Sequence, residues 1–174
     1  MNLKILIFIK ILLLLNFFSI QANAKVVYLD LDFIIINSVA GKKLIKNLND
    51  IKLNETKKFE KEFLNLKKVE EKTISQKKLI TQEAYDIKVN NFKKKVDKFN
   101  KRRNVFFADF KKKKQLSIDN FIQEINPILS NYSKNDSITL IIHKKDIIMG
   151  KNELDITNKF LVIVDEKIKM VKIK

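Results

Sequence analysis

The sequence predicts an α+β fold that is mainly helical, in which a long antiparallel helical hairpin, a coiled-coil arm, projects from a small β-containing body. Three observations lead to this prediction. The 174 residues include only two glycines and one proline, so few turns interrupt the chain. Apolar residues recur at steps of three and four through the middle of the chain. Short runs of β-branched residues lie near both ends, as expected for strands.

Residues 1–24 have the pattern of a secretory signal peptide. Lys4 supplies positive charge, an apolar run follows, and an Ala-x-Ala cleavage site ends at Ala24. An uncleaved membrane anchor is the alternative. However, the run is shorter than the roughly 20 apolar residues of a spanning helix, and Lys10 interrupts it. We therefore expect cleavage between Ala24 and Lys25, with export to the periplasm.

Residues 26–36 predict a strand that leads into a short helical or turn segment, because β-branched and aromatic residues dominate them. One face of the strand would carry Val27, Leu29, Leu31 and Phe33, and the other Tyr28, Asp30 and Asp32. Two carboxylates on one strand face could bind a cation. A solvated face, or a set of caps and salt bridges, is the favoured interpretation of this pair.

Helical spacing dominates from about residue 42 to residue 132, which defines the arm. A single helix of this length cannot bury its own apolar stripe, so we place one turn near residues 79–83. Thr81 can cap the second helix there. A turn at this position pairs Phe63 with Phe99, Leu66 with Val96, Val69 with Phe92, Ile51 with Phe110, and Leu44 with Ile118. The arm would be roughly 55–60 Å long.

The body is expected to combine residues 25–41 with residues 133–174. Pro127 lies late in the second arm helix and predicts a kink, or else the end of that helix. Strands are predicted at 138–142 and 147–149, followed by a helix from 155 to about 167. The strands from both ends of the chain must meet, because an isolated strand is unstable in water.

The charge of the chain suggests an anionic partner. The formal net charge is +16, and residues 67–103 carry thirteen basic residues against five acidic ones. Nucleic acid, anionic lipid and acidic protein surfaces all fit such a charge, and mere solubility is an equal alternative. The candidate binding residues on the distal arm are Lys67, Lys68, Lys72, Lys77, Lys78, Lys93, Lys94 and Lys98. Export makes nucleic acid an unexpected partner.

Residues that carry catalytic chemistry are scarce. His143 is the only histidine and there is no cysteine, so a metal site is not expected. A glycine-rich phosphate-binding loop is nearly excluded, because the chain has only two glycines, Gly41 and Gly150. We therefore predict a protein that is not an enzyme and that has no catalytic, cofactor or metal site.

Several short motifs follow one another along residues 25–161. They are Tyr28-Leu29-Asp30-Leu31-Asp32, Asn37-Ser38-Val39-Ala40-Gly41-Lys42, Leu79-Ile80-Thr81-Gln82-Glu83-Ala84, Asn126-Pro127-Ile128-Leu129, and Leu140-Ile141-Ile142 through Leu154-Asp155-Ile156-Thr157. Together they resemble the Skp/OmpH family of periplasmic chaperones. The chain departs from the family pattern at His143, where the family often has Asp. The extension 162–174 has no counterpart in that pattern.

The resemblance implies a jellyfish-like homotrimer whose three arms enclose a cavity. Unfolded outer-membrane proteins would be held there by many weak contacts without ATP, and the arm lysines would take part. An anionic lipid or lipopolysaccharide surface is left open as a further partner. The strand residues expected in the trimer body are Val27, Leu29, Leu31, Leu140 and Ile142.

Two alternatives come from other functional classes. A nucleic-acid-binding coiled coil suits the basic charge but not the signal peptide. A structural envelope coiled coil shares the signal peptide and the helices, but it needs no client. Protection of a client from aggregation would separate this last alternative from a chaperone.

Overall fold

The structure, a computed structural model, describes residues 24–174 and contains two strands and four α-helices in that range. They are β1 (Lys25–Leu29), α1 (Leu31–Asn37), α2 (Val39–Ser75), α3 (Gln82–Asn135), β2 (Ile138–His143) and α4 (Thr157–Lys167). Single 3₁₀ turns occur at Gln76–Lys78, Lys144–Asp146 and Asn152–Leu154. The predicted signal peptide, apart from Ala24, lies outside the described residues.

The two long helices form the antiparallel hairpin that the sequence predicts. Their 37 and 54 residues correspond to lengths of about 55 and 80 Å. The connection is the 3₁₀ turn Gln76–Lys78 followed by Thr81, whose hydroxyl accepts a hydrogen bond of 3.3 Å from the N–H of Ala84. The longer α3 extends past the base of the arm into the body, where it supplies core residues.

The root of the arm is the junction between α1 and α2. Ser38, fully buried, ends α1 and starts α2, and its hydroxyl accepts a hydrogen bond of 3.1 Å from the N–H of Gly41. A Cβ on Gly41 would lie 1.7 Å from the carbonyl oxygen of Ile35, so only glycine fits. Because Ser38 caps the helix, α2 begins at Val39 rather than near residue 42.

The sheet of the body joins the two ends of the chain. β1 and β2 are parallel, with Val27 opposite Ile141 and Leu29 opposite His143. Parallel strands need a crossover connection, and here the whole helical arm is that connection. The expectation that strands from both ends meet is thus confirmed.

The first strand is shorter than predicted. It ends at Leu29, because Asp30 caps α1 and accepts a hydrogen bond of 2.8 Å from the N–H of Phe33. The placement of Leu31 and of the pair Asp30 and Asp32 on a strand face is therefore wrong. Leu31 and Asp32 lie in the first turn of a helix, where an acidic side chain is favourable.

Tyr28 was assigned to the polar face of the strand, but it is buried. Its hydroxyl donates a hydrogen bond of 3.1 Å to the carbonyl oxygen of Lys151. Satisfying the hydroxyl removes the main cost of burying tyrosine.

The predicted strand at 147–149 is also wrong for the described chain. A 3₁₀ turn follows β2 directly, and the free side of β1 is taken by other residues. The carbonyl oxygen of Tyr28 accepts a hydrogen bond of 3.0 Å from the N–H of Ile156, and Tyr28 forms an isolated bridge with Asp155. Ile148 and Met149 are left without a partner strand in residues 24–174 and are 104% and 91% exposed.

Pro127 lies inside α3, which continues to Asn135, so the proline does not end the helix. One continuous core lies where the base of the arm meets the body. Its most deeply buried apolar side chains are Ile34, Leu44, Phe121, Ile125, Phe160 and Val164. Among residues 24–174, no helix combines the length and the apolar character that crossing a membrane requires.

Candidate functional site

The distal arm presents its basic residues to solvent. All eight lysines that the sequence analysis selected are exposed, and none of them forms an ion pair within residues 24–174. Lys77 lies 5.9 Å from the centre of the Tyr85 ring, which is a cation–π contact. The one ion pair that joins the two arm helices in this part of the chain is Glu62 with Arg102. The positive charge of the arm is therefore available to a partner.

A cluster of phenylalanines holds the middle of the arm together. Phe59 packs edge-on against Phe99, with ring centres 6.0 Å apart, and against Phe106 at 5.7 Å. Phe106 in turn stacks on Phe110 at 6.0 Å. Phe59 and Phe99 are buried, which is unusual in a bundle of only two helices. Edge-to-face pairs add specific attraction to the burial of these rings.

Two of the open grooves beside this cluster are lined by both Phe63 and Phe99. The groove nearer the tip has a volume of about 400 Å³ and is lined mainly by Phe63, Leu66, Phe92, Val96 and Phe99. The groove nearer the body has a volume of about 540 Å³ and is lined by Thr56, Phe59, Glu60, Phe63, Phe99, Arg103 and Phe107. Phe63 is 56% exposed between them. Large apolar side chains exposed together in this way mark an interaction surface.

A third groove lies at the base of the arm, with a volume of about 500 Å³. Leu44, Leu48, Phe110 and Ile118 line its apolar part together with residues of α1 and α2. Lys52 and Lys114 also line it. The arm thus combines apolar grooves and exposed lysines from its tip to its base.

Four of the five predicted helix pairs line common grooves, but the predicted burial of the stripe is wrong. Phe63 and Phe99 line common grooves, as do Leu66 and Val96. Val69 and Phe92 line a separate, smaller groove of the arm. Leu44 and Ile118 both line the groove at the base of the arm. Sequence reasoning placed the whole stripe inside the arm, whereas Ile51 and Val69 are 37% exposed and Phe63 more so. Two helices cover only one side of each residue in this stripe, so part of its apolar surface stays exposed. The spacing of the residues does not predict this exposed aromatic surface.

The body residues proposed for assembly fall into two groups. Val27 and Leu29 are buried in the core of this chain, and Leu31 packs against that core as part of α1. Leu140 is 51% exposed and Ile142 is half-buried on β2. Of the residues proposed for assembly, only Leu140 and Ile142 offer apolar surface to another chain. Ile148 and Met149, which follow β2, are also exposed.

Asp155 organises the connection between β2 and α4. Its carboxylate accepts hydrogen bonds from the ammonium group of Lys144 at 2.7 Å and from the N–H of Thr157 at 2.9 Å. Burial raises the pKa of Asp155, but the hydrogen bonds from Lys144 and Thr157 outweigh it and hold the pKa below its ordinary value. The same hydrogen bond raises the pKa of Lys144. These contacts give the Leu-Asp-Ile-Thr motif a structural role.

His143 lies at the end of β2, as predicted. Its Nδ1 accepts a hydrogen bond of 3.3 Å from the N–H of Lys145, and its Nε2 lies 3.9 Å from the carboxylate of Asp32. No group of three histidine, cysteine, aspartate or glutamate side chains in residues 24–174 is arranged to hold a metal ion. The expected absence of catalytic and cofactor sites stays a prediction.

Comparison with known proteins identifies one family. Residues 25–163 match the family described as outer membrane protein (OmpH-like). Comparison with curated proteins finds no match. A crystal structure from Caulobacter crescentus, described as an OmpH-like outer membrane chaperone, has a TM-score of 0.79 and 16% identity, covering 87% of this chain and 89% of that chain. This structural similarity shows the fold.

Proposed function

The chain belongs to the OmpH-like family of outer membrane proteins, and on that basis we propose that it is an ATP-independent holdase chaperone of the periplasm. Several copies of the chain hold unfolded outer-membrane proteins between their arms and prevent the aggregation of these proteins. The description of the Caulobacter crescentus structure as a chaperone supports this proposal. The observation that carries it is the exposed face of the arm, where Phe63 stands between two apolar grooves. Residues 67–103 of the same arm carry thirteen basic side chains against five acidic ones.

The chemistry of the client fits this face. Strands of outer-membrane barrels alternate apolar and polar residues and are rich in aromatic side chains. Such side chains can enter the grooves around Phe63 and at the base of the arm, while the arm lysines attract acidic segments. Each contact is weak, but several on one client act together through effective concentration. Release then needs no nucleotide, because each contact breaks easily by itself.

Exposed surface on the body supports assembly of several copies, and the family resemblance leads us to propose a homotrimer as the working form. A two-stranded sheet is marginal by itself, and the edge formed by β2 can pair with a further strand. Leu140, Ile148 and Met149 expose apolar surface beside this sheet. We assign the contacts between copies to these residues, whereas Val27 and Leu29 stabilise the body of each chain. Three arms would then surround one client.

An aggregation assay tests the chaperone function. An unfolded outer-membrane β-barrel protein is diluted from urea with and without the protein, at low and high salt, and light scattering is recorded. We expect suppression at three chains per client, weakened by salt, because exposed charges are screened. If light scattering is unchanged at both salt concentrations, the holdase proposal is wrong and a structural coiled coil takes its place.

A matched pair of variants locates the surface. Phe63→Ser removes an exposed side chain from the grooves, and Val162→Ser removes an exposed side chain from α4 in the body. We expect Phe63→Ser to weaken suppression and Val162→Ser to leave it unchanged. Equal effects of the two substitutions would contradict the assignment of binding to the arm grooves.

A further inference from the structure

The segment that follows α4, residues 168–174, packs against the arm, and we call it the strap. Ile168 and Val171 are 7% and 4% exposed, and both belong to the continuous core. Met170 between them is 67% exposed. The family match ends at residue 163, so the strap lies outside the part of the chain that the family describes.

Hydrogen bonds connect the strap to both helices of the arm. The ammonium group of Lys43 on α2 donates to the carbonyl oxygen of Lys169 at 3.4 Å. On α3, the ammonium group of Lys113 donates to the backbone oxygen of Lys174 at 3.1 Å. The N–H of Lys174 donates to the hydroxyl of Ser117, also at 3.1 Å. The strap therefore crosses from one arm helix to the other.

Ser117 is placed to receive the strap. It is fully buried, and its hydroxyl donates to the carbonyl oxygen of Lys113, at 2.8 Å, within its own helix. The lone pair that remains on the hydroxyl oxygen accepts the hydrogen bond from the strap. Without the strap, this buried oxygen would lose the hydrogen bond that it accepts, so the contact favours the bound position of the strap.

α4 and the strap together contact the arm at two places along its length. At the root, the carboxylate of Asp165 on α4 accepts a hydrogen bond of 2.7 Å from the N–H of Val39, the first residue of α2. The strap continues from α4 and reaches Lys113, about eight residues or 12 Å farther out along α3 than Phe121 of the core. Because α3 continues from the arm into the core, a change of arm angle requires the helices to bend where they leave the core, and the strap contacts α3 there through Lys113 and Ser117.

We propose that the strap fixes the angle at which the arm leaves the body, and that its release lets the two arm helices bend where they leave the core. The range of arm angles then sets the size of client that the arms can enclose. This consequence for clients rests on the proposed chaperone function. The mechanical part does not, and it is tested separately.

Electron spin resonance can follow the arm angle through the distance between two spin labels, one on the arm and one on the body. The sequence has no cysteine, so Lys77→Cys at the arm tip and Lys159→Cys on α4 give two defined label positions. Labelled protein is diluted with unlabelled protein, so that only distances within one chain are recorded. In this background, Val171→Asp puts a carboxylate at a buried position of the strap. Met170→Asp makes the same charge change at an exposed position.

We expect Val171→Asp to broaden the distance distribution while the circular dichroism of the helices is retained. Met170→Asp is expected to keep the narrow distribution of the unaltered strap. Identical distributions for all three proteins would overturn the proposal. Ser117→Ala removes only the accepting hydroxyl, and it should broaden the distribution in the same direction by a smaller amount. Should Val171→Asp lose helix, an unchanged distribution in Ser117→Ala overturns the proposal instead.

The consequence for clients has its own test. Holdase activity of the unaltered protein and of Val171→Asp is compared on a small and a large unfolded barrel protein. We expect Val171→Asp to change the ratio of the two activities. An unchanged ratio with a broadened distribution would overturn the effect on client size. Absence of activity in the unaltered protein would instead count against the chaperone function.

Discussion

The backbone of Gly41 lies against the backbone of Ile35, so closely that a Cβ at residue 41 would come within 1.7 Å of the Ile35 carbonyl oxygen. This contact folds α1 back onto the first turn of α2. Gly41→Ala should lower the free energy of unfolding by about 1–3 kcal/mol or more, because the neighbouring group is backbone and cannot move aside alone. Urea denaturation measures the loss. Lys42→Ala, at the next and exposed position, is the control, and equal stability of the two variants would contradict the prediction.

Phe99 is central to the aromatic cluster of the arm, and it is 5% exposed. Phe99→Ala should destabilise the arm by about 3 kcal/mol, from the lost burial and the cavity left behind. Hydrogen exchange should then accelerate between residues 59 and 107, while amides of β1 keep their protection. Phe107→Ala, which changes a more exposed ring of the same cluster, should have a much smaller effect. Uniform acceleration across arm and body would show that the two unfold as one unit.

Asp155 makes the stability of the body depend on pH. Its pKa is lower in the folded chain than its ordinary value, so its contribution is present above about pH 4 and is lost as the pH falls through the folded pKa. Asp155→Asn should cost about 1 kcal/mol at neutral pH. The difference from the unaltered protein should shrink in acid. Thermal unfolding at several pH values checks this, with the exposed Asp146→Asn as control. A constant difference at all pH values would contradict it.

Substitutions on the two strands should separate folding from assembly. Leu29→Asp puts a charge into the core and should unfold the body, so that circular dichroism and assembly change together. Leu140→Asp changes a side chain that is 51% exposed, so the fold should remain while the proposed trimer dissociates. Sedimentation velocity measures both. Val162→Asp is the exposed control on α4. A complete trimer of Leu140→Asp would remove this residue from the contacts between copies.

We expect the affinity for clients to come from many arm lysines together, and not from one or two of them. Replacing Lys67 and Lys72 together by glutamine should weaken client binding by only about two- to threefold, because each exposed charge contributes little. Fluorescence titration of a labelled client measures the affinity, and Lys159 with Lys167, two exposed lysines of α4, replaced in the same way are the control. Complete loss of binding in the arm variant, with its assembly intact, would refute a distributed mechanism.

Local signals in the sequence were sufficient for much of this fold. Thr81 caps the second arm helix through a hydrogen bond to a residue three positions away, as predicted from neighbouring residues. Ser38 caps the first arm helix in the same way, which the predicted start near residue 42 did not include. The apolar spacing fixed the register of the hairpin, since one turn position aligns both stripes. The basic character of the distal arm also follows from residue counts alone.

Contacts between distant parts of the chain decided what could not be predicted. β1 ends at Leu29 because Asp30 caps a helix and its N–H donates to the hydroxyl of Thr157, which is distant in sequence. No strand forms at 147–149, because Asp155 and Ile156 occupy the free side of β1.

The surface of the arm was decided in the same way. Phe63 has the spacing of a buried seam residue, yet a pair of helices lacks the third element that would cover it. Periodicity identifies the face of a helix that is apolar. Whether that face is buried depends on which elements pack against it, and that depends on the tertiary structure.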